Sequence, residues 1–318
     1  MESLNLSNSE ITSSGISQFG ILKNLQELDL SSNLINSEGA NYLSSLYNLT
    51  SLALNDNSIT GEGLRNFSNL TNLTELFLDN NNIGSVGANY LSSNTNIKFL
   101  TLSNNSIADE GLENFGNLKS LIHLNLNFNN VQRGLIYLSE CKLLKQLDIQ
   151  HNNLTDQELI DFFDKELSIE ELDLSENKKL SGKSFKNICK QRKLSILNIG
   201  SNPKLGDLSL SHLASLNLLT LRANNCGITD KGLVKFLQEN SNRNSSKRLN
   251  LYLEETPFTN IALEELLNQA SFIEELQITF SSKFDEALTK KLNERIPKFF
   301  MSNEILEQAK KPNNCLLQ

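Results

Sequence analysis

The sequence predicts an α/β solenoid of about twelve stacked units, with a parallel sheet of short strands on one side and short helices on the other. Three observations predict it. An apolar pattern returns every 24 residues, so that Leu25, Leu28, Leu30, Asn33 and Ile35 reappear as Leu49, Leu52, Leu54, Asn57 and Ile59. A period of this size marks one supersecondary unit repeated along the chain. Within the unit, Leu28 and Leu30 alternate with Glu27, Asp29 and Ser31, the two-residue period of a strand with one buried face. After Ile35 the apolar positions become Gly39, Ala40, Leu43 and Leu46, a spacing that sets one face of a short helix, with Gly39 easing the turn into it. A single unit has too little core to stand alone, so strands stack on strands and helices on helices.

The elements follow in order. Leu4, Leu6 and Ile11 already fit the frame, with Ser9 where Asn is expected; terminal units are commonly atypical. With no separate cap ahead of it, the first strand is expected to present an open edge. The frame continues through Leu76, Leu78, Asn81 and Ile83, then Leu100, Leu102, Asn105 and Ile107, then Leu124, Leu126, Asn129 and Val131. It drifts but persists at Leu147, Ile149 and Asn152, at Leu172, Leu174 and Asn177, at Leu197, Ile199 and Asn202, and at Leu219, Leu221, Asn224 and Ile228. Glu239 to Arg248 holds no apolar residue and reads as an enlarged, mobile loop on the convex side.

Two degenerate units follow, with Thr256 and Ser281 in the Asn position. The four-residue spacing of Phe284, Leu288, Leu292 and Ile296 predicts a helix, ended by Pro297, because proline cannot continue one. A second helical segment over roughly 298–310 is expected to complete a cap. The organisation expected is therefore one elongated solenoid over 1–282, a helical cap over 283–309 and a flexible tether over 310–318.

The motif LxxLxLxxNxI resembles the leucine-rich repeat family, over about 1–282. The resemblance implies a horseshoe with a concave parallel sheet and convex helices. It also implies a structural role for Asn33, Asn57, Asn81, Asn105 and Asn129, whose amides bond the backbone of adjacent turns; a buried polar ladder is stable only when every member is satisfied. Cys226 to Leu233, CGITDKGL, is similar to the cysteine-containing repeats of F-box receptors and to ribonuclease-inhibitor-type repeats, both intracellular.

Composition narrows the function. A net charge of -8 and a pI near 5.1 argue against a nucleic-acid partner, which needs Lys and Arg to meet phosphates. Cys141, Cys189, Cys226 and Cys315 form no CxxC or Cys/His cluster, so the inventory is that of a reduced compartment rather than a disulfide scaffold or zinc site. No apolar run approaches membrane-spanning length, and Met1 to Leu6 lacks the features of a secretory signal. The Asn-x-Ser/Thr triplets, such as Asn48 to Thr50, are accordingly read as unglycosylated.

The sharpest functional signal is the ending Cys315, Leu316, Leu317 and Gln318, which matches a C-a-a-X box with a final Gln that favours farnesyl. Lys310 and Lys311 lie just upstream. One lipid chain gives marginal, reversible membrane binding, and basic residues supply a second signal. A eukaryotic prenyltransferase is thus an expected partner, and the cytosolic face of a eukaryotic membrane the expected location. Without the lipid it is the cytosol; for a bacterial protein, the host cell after secretion.

The other asset is the concave face. Phe77, Phe99, His123, Phe128 and His151 are expected to point outward from its strands, about 4.8 Å apart, between acidic flanks that include Asp148 and Asp173. An aromatic centre with a charged rim is how protein interfaces concentrate binding energy, and an acidic rim favours a basic partner surface. Catalysis has little support, since no nucleophile elbow, HExxH or P-loop accompanies the histidines, and no cofactor or metal is expected. The reading is a non-enzymatic protein-binding scaffold held at a membrane, which resembles leucine-rich-repeat effectors delivered by intracellular bacteria. The alternatives are a substrate-recognition subunit of a ubiquitin ligase and a GTPase regulator, the latter resting on Arg133 by resemblance to the Ran GTPase-activating protein.

Overall fold

The computed structural model describes residues 2–241 and 248–302. The chain divides into two compact units, 1–177 and 178–318, and the repeat runs through both. The first unit carries eight strands: β1 Ser3–Asn5, β2 Glu27–Asp29, β3 Ser51–Ala53, β4 Glu75–Phe77, β5 Phe99–Thr101, β6 His123–Asn125, β7 Gln146–Asp148 and β8 Glu171–Asp173. Each pairs in parallel with the next, and the middle leucines fall in register, Leu4 on Leu28, Leu28 on Leu52, and so on to Leu147 on Leu172. The second unit carries β9 Ile196–Asn198, β10 Thr220–Arg222, β11 Leu249–Leu253, β12 Ile273–Thr279 and β13 Lys298–Ser302, also parallel. This is the leucine-rich repeat solenoid that the 24-residue pattern predicts.

The strands are short for a local reason. Three residues past each middle leucine the backbone leaves the sheet, and one residue later it turns through a left-handed conformation: Ser32, Asp56, Asn80, Asn104, Phe128, His151 and Glu176 all have φ between 52° and 58°. The next residue is the ladder asparagine. Asn33 Nδ2 donates to the carbonyls of Leu6 and Leu30 at 2.9 Å, while its Oδ1 accepts from the backbone of Ser9 at 3.1 Å and Ile11 at 2.9 Å. Asn57, Asn81, Asn105 and Asn129 repeat these bonds one turn further on. Each amide thus satisfies backbone groups that the turn removes from the ladder of strands.

In the tenth repeat the ladder is shifted from the expected place. β10 pairs Leu221 with Leu197, so Ala223 fills the second core position and Cys226, not Asn224, the ladder position. Cys226 Sγ lies 3.0 Å from the Ile199 carbonyl and 3.4 Å from that of Asn224. Burial pushes its thiol up to about 12, against a lowering by the backbone N–H of Asn202.

Between residues 37 and 117 the helical side of the first unit alternates, before a second successive 3-10 repeat at Arg133–Glu140. The α-helices Ser37–Leu43 and Gly84–Leu91 interleave with pairs of 3-10 turns, Gly61–Leu64 with Phe67–Asn69 and Asp109–Leu112 with Phe115–Asn117. The 3-10 form rises further per residue, and fully buried Phe67 and Phe115 fill these turns. Neighbouring turns approach closely at Gly87, where an added Cβ would sit 2.5 Å from the Gly61 Cα.

At the carboxyl end the predicted helix forms over Glu286–Arg295, with Asp285 accepting from Ala287 N at 2.7 Å. The stretch after Pro297 differs from expectation. Lys298–Ser302 is the strand β13, with Phe299 opposite Leu276. An aromatic-rich KFFMS segment favours a pleated surface, and the open edge of β12 supplies one. The polar insertion is partly helical, since Asp230–Asn240 takes in Glu239 and Asn240; residues 242–247 lie outside the described residues.

Candidate protein-binding face

In the first unit the residues flanking each middle leucine point away from the core and form rows across the sheet. One row reads Glu27, Ser51, Glu75, Phe99, His123, Gln146 and Glu171; the other reads Asp29, Ala53, Phe77, Thr101, Asn125, Asp148 and Asp173. Two more rows come from the turns, at Asp56, Asp79 and Glu176 among others. These four rows hold nine carboxylates between β1 and β8 and no Lys or Arg.

Phe77, Phe99, His123, Asp148 and Asp173 stand on strands as expected. Phe128 and His151 do not. Both occupy the left-handed turn position beyond β6 and β7, because each strand ends after three residues. A bulky side chain at positive φ is uncommon, whereas Asn, Asp and Ser tolerate it. Phe128, 44% exposed, therefore carries both strain and solvent contact.

The structure gathers these residues into two groups. Phe99 meets the His123 ring edge-on, with centroids 6.4 Å apart, and His123 Nε2 lies 3.0 Å from Asp148 Oδ2. Gln146 Nε2 donates to the same oxygen at 3.2 Å. In the second group Phe128 stacks on His151 at 5.2 Å, His151 Nδ1 lies 3.4 Å from Glu176 Oε2, and Gln150 Nε2 donates to Glu176 Oε1 at 2.6 Å. Each histidine thus has its own carboxylate, and the two do not converge on Asp148. Asp173 lies beside Asp148 in register and accepts from the backbone of Ser175 at 2.8 Å. Phe77, half-buried on β4, joins no ring pair among the described residues.

Gln146 and Gln150 are the functional candidates that sequence reasoning missed. The signal was present, because Gln146 follows His123 by the 23 residues of a shortened repeat, but polar amides carry no pattern of their own. Asp79 lies on the same face. Burial holds its carboxyl above the usual range, helped by nearby Asp56, although the Ser103 backbone N–H and the Thr101 hydroxyl pull the other way. Among the described residues no group of three His, Cys, Asp or Glu is placed to hold a metal ion. The arrangement offers ring faces, hydrogen-bond acceptors and negative charge.

Residues 1–59 and 47–107 match a family model described as leucine rich repeat, and residues 140–157 match a second model of that description. No curated protein sequence matches the chain. Among solved structures, an internalin from Listeria monocytogenes strain 4b F2365 superposes with a TM-score of 0.66 at 23% identity, covering 96% of this chain and 88% of that one. A chain of the yeast Rad7 and Elc1 complex gives 0.63 at 17% identity, covering 97% and 82%. A chain of the plant peptide hormone receptor RGFR1 in complex with RGF2 gives 0.57 at 20%, covering 95% of this chain and 47% of that one. Repeat pattern, asparagine ladder and superposition agree on the fold: the chain folds as a leucine-rich repeat solenoid, matches leucine rich repeat models over 1–107 and 140–157, and is structurally similar to a bacterial internalin.

Proposed function

We propose that the protein is a non-enzymatic scaffold that captures a partner with a basic surface on the open sheet face of its first unit. The observation that carries this is the composition of that face, nine carboxylates with no Lys or Arg around the exposed rings of Phe99 and Phe128. Unopposed negative charge steers a cationic partner, and exposed rings supply the buried contact that gives such an encounter its lifetime. Two of the similar structures, the plant receptor and the yeast chain, are themselves solved as complexes, which supports a binding role without naming the partner.

The reading includes a membrane tether. Cys315 to Gln318, with Lys310 and Lys311, lie outside the described residues; their support is the C-a-a-X match alone. In this reading a eukaryotic prenyltransferase modifies Cys315, and the protein works at the cytosolic face of a eukaryotic membrane, as a delivered bacterial effector would. Metabolic labelling with a clickable farnesyl analogue, followed by fractionation, tests the tether. Wild type should be labelled and membrane-bound and Cys315→Ser neither; an unlabelled wild type removes the lipid from the account. Proximity labelling with a Phe99→Ala/Phe128→Ala variant tests the face. Unchanged partner capture would place the binding site elsewhere.

A further inference from the structure

The chain's charge is unevenly distributed. Residues 178–206 hold 8 of its 29 Lys and Arg and none of its 37 Asp and Glu. All eight, Lys178, Lys179, Lys183, Lys186, Lys190, Arg192, Lys193 and Lys204, are exposed. The fold explains their placement. Gly182, Ser184, Phe185 and Ile188 are buried, so the intervening Lys183 and Lys186 must face solvent on the helical side of the repeat. Arg192 and Lys193 extend the charge into the loop before β9, and Lys178 and Lys179 into the turn before the helix. Lys190 has a partner of its own, and none of the other seven makes an ion pair among the described residues.

We infer that this helical side of the 178–206 repeat is a docking surface for an anionic phospholipid bilayer. The chemistry favours lipid over an acidic protein. Protein interfaces draw their energy from buried aromatic and apolar anchors; 178–206 itself exposes no large hydrophobic residue, and Leu208, 50% exposed beside Gly182, adds one aliphatic side chain and no aromatic ring. A cluster of exposed cations beside a lone leucine suits the diffuse attraction of a charged plane, where each Lys or Arg near the surface strengthens binding about fivefold. The inference deepens the membrane reading proposed above by giving it a second, folded signal, since one prenyl chain alone binds marginally. It does not depend on the lipid, and so the two can fail separately.

The test uses the full-length chain without lipid, sedimented with vesicles of pure phosphatidylcholine or of phosphatidylcholine with 30% phosphatidylserine, roughly a PS-rich inner leaflet. Wild type should pellet with the anionic vesicles only, and lose that binding as salt shortens the screening length from about 8 Å to 3 Å. Lys183→Glu/Lys186→Glu/Arg192→Glu/Lys193→Glu should weaken it by about 100-fold or more. The milder Lys183→Gln/Lys186→Gln, which adds no new charge, should give a partial loss of about 10-fold or more. Lys310→Gln/Lys311→Gln should retain most of it. Absence of binding to anionic vesicles at low salt, or equal binding by the wild type and both patch variants, overturns the inference. So does wild type that ignores vesicles but self-associates at low salt through these residues, which would make the acidic sheet face of a second copy the occupant. Farnesyl labelling of Cys315 is read independently: a labelled wild type whose patch variants, assayed without lipid, bind anionic vesicles as well as unlipidated wild type leaves the tether standing and removes the patch.

Discussion

His123 on β6 and Asp148 on β7 face each other across the sheet at 3.0 Å, with Gln146 bonded to the same carboxylate oxygen. Both side chains are about a fifth to a quarter exposed, at 24% and 19%, so the pair is neither buried enough to be costly nor exposed enough to be screened away. A double-mutant cycle with His123→Ala and Asp148→Ala, followed by urea denaturation, should give a coupling of about 0.5–1 kcal/mol. No coupling would mean that the pair is not held in solution. Partner capture should fall more with Asp148→Ala than this stability loss explains.

Phe128 makes the two kinds of effect separable. It holds a turn position where the four preceding repeats have Ser32, Asp56, Asn80 and Asn104, at φ 55°. Phe128→Asn should therefore stabilise the fold by about 0.5–1 kcal/mol in thermal denaturation while reducing partner capture. A variant that is less stable would show that stacking on His151 outweighs the backbone strain.

Asn105 tests the ladder. Its Nδ2 donates to the carbonyls of Leu78 at 2.8 Å and Ser103 at 3.0 Å, and its Oδ1 accepts from Ile83 N at 3.2 Å, all without solvent access to the side chain. Asn105→Ala strands these groups and should cost about 3 kcal/mol or more in urea denaturation. A loss below about 1 kcal/mol would mean that water replaces the amide.

Asp79 has a pH signature. Its folded carboxyl is raised, chiefly by burial, so the folded state holds its proton to a higher pH than the unfolded chain does. That contribution to stability is fully present below the ordinary carboxylate value and lost as pH rises through the folded one. Asp79→Asn keeps the oxygen that accepts from Ser103 N at 2.6 Å and removes the charge. The variant should melt above wild type at pH 7, with the gap closing in acid; a gap independent of pH would assign the effect to packing.

Much of the fold was legible because its determinants are local and repeated. Leu28, Leu30 and Asn33 each state their role within six residues, and the next turn restates it. What the pattern could not fix was where a strand stops, which depends on the left-handed residue and placed Phe128 and His151 in turns. Nor could it choose between Asn224 and Cys226, since the decision rests on β10 aligning Leu221 with Leu197. After Pro297 no periodicity remained, and the edge of β12, a tertiary partner, made Lys298–Ser302 a strand. The candidate face was readable as a list of residues; the bonds of His123 to Asp148 and His151 to Glu176 span 25 residues each and needed the register.

Between Ser37 and Asn117 the alternation of α-helical and 3-10 turns makes about 48 residues, not 24, the smallest piece that can be removed or duplicated without a seam. Deleting one turn would set Phe67 beside Phe115 and separate Gly61 from the Gly87 backbone that needs it. Deleting two would leave each surviving neighbour facing the kind of turn it faced before. Within that stretch, insertions and deletions are thus tolerated in pairs of turns rather than singly.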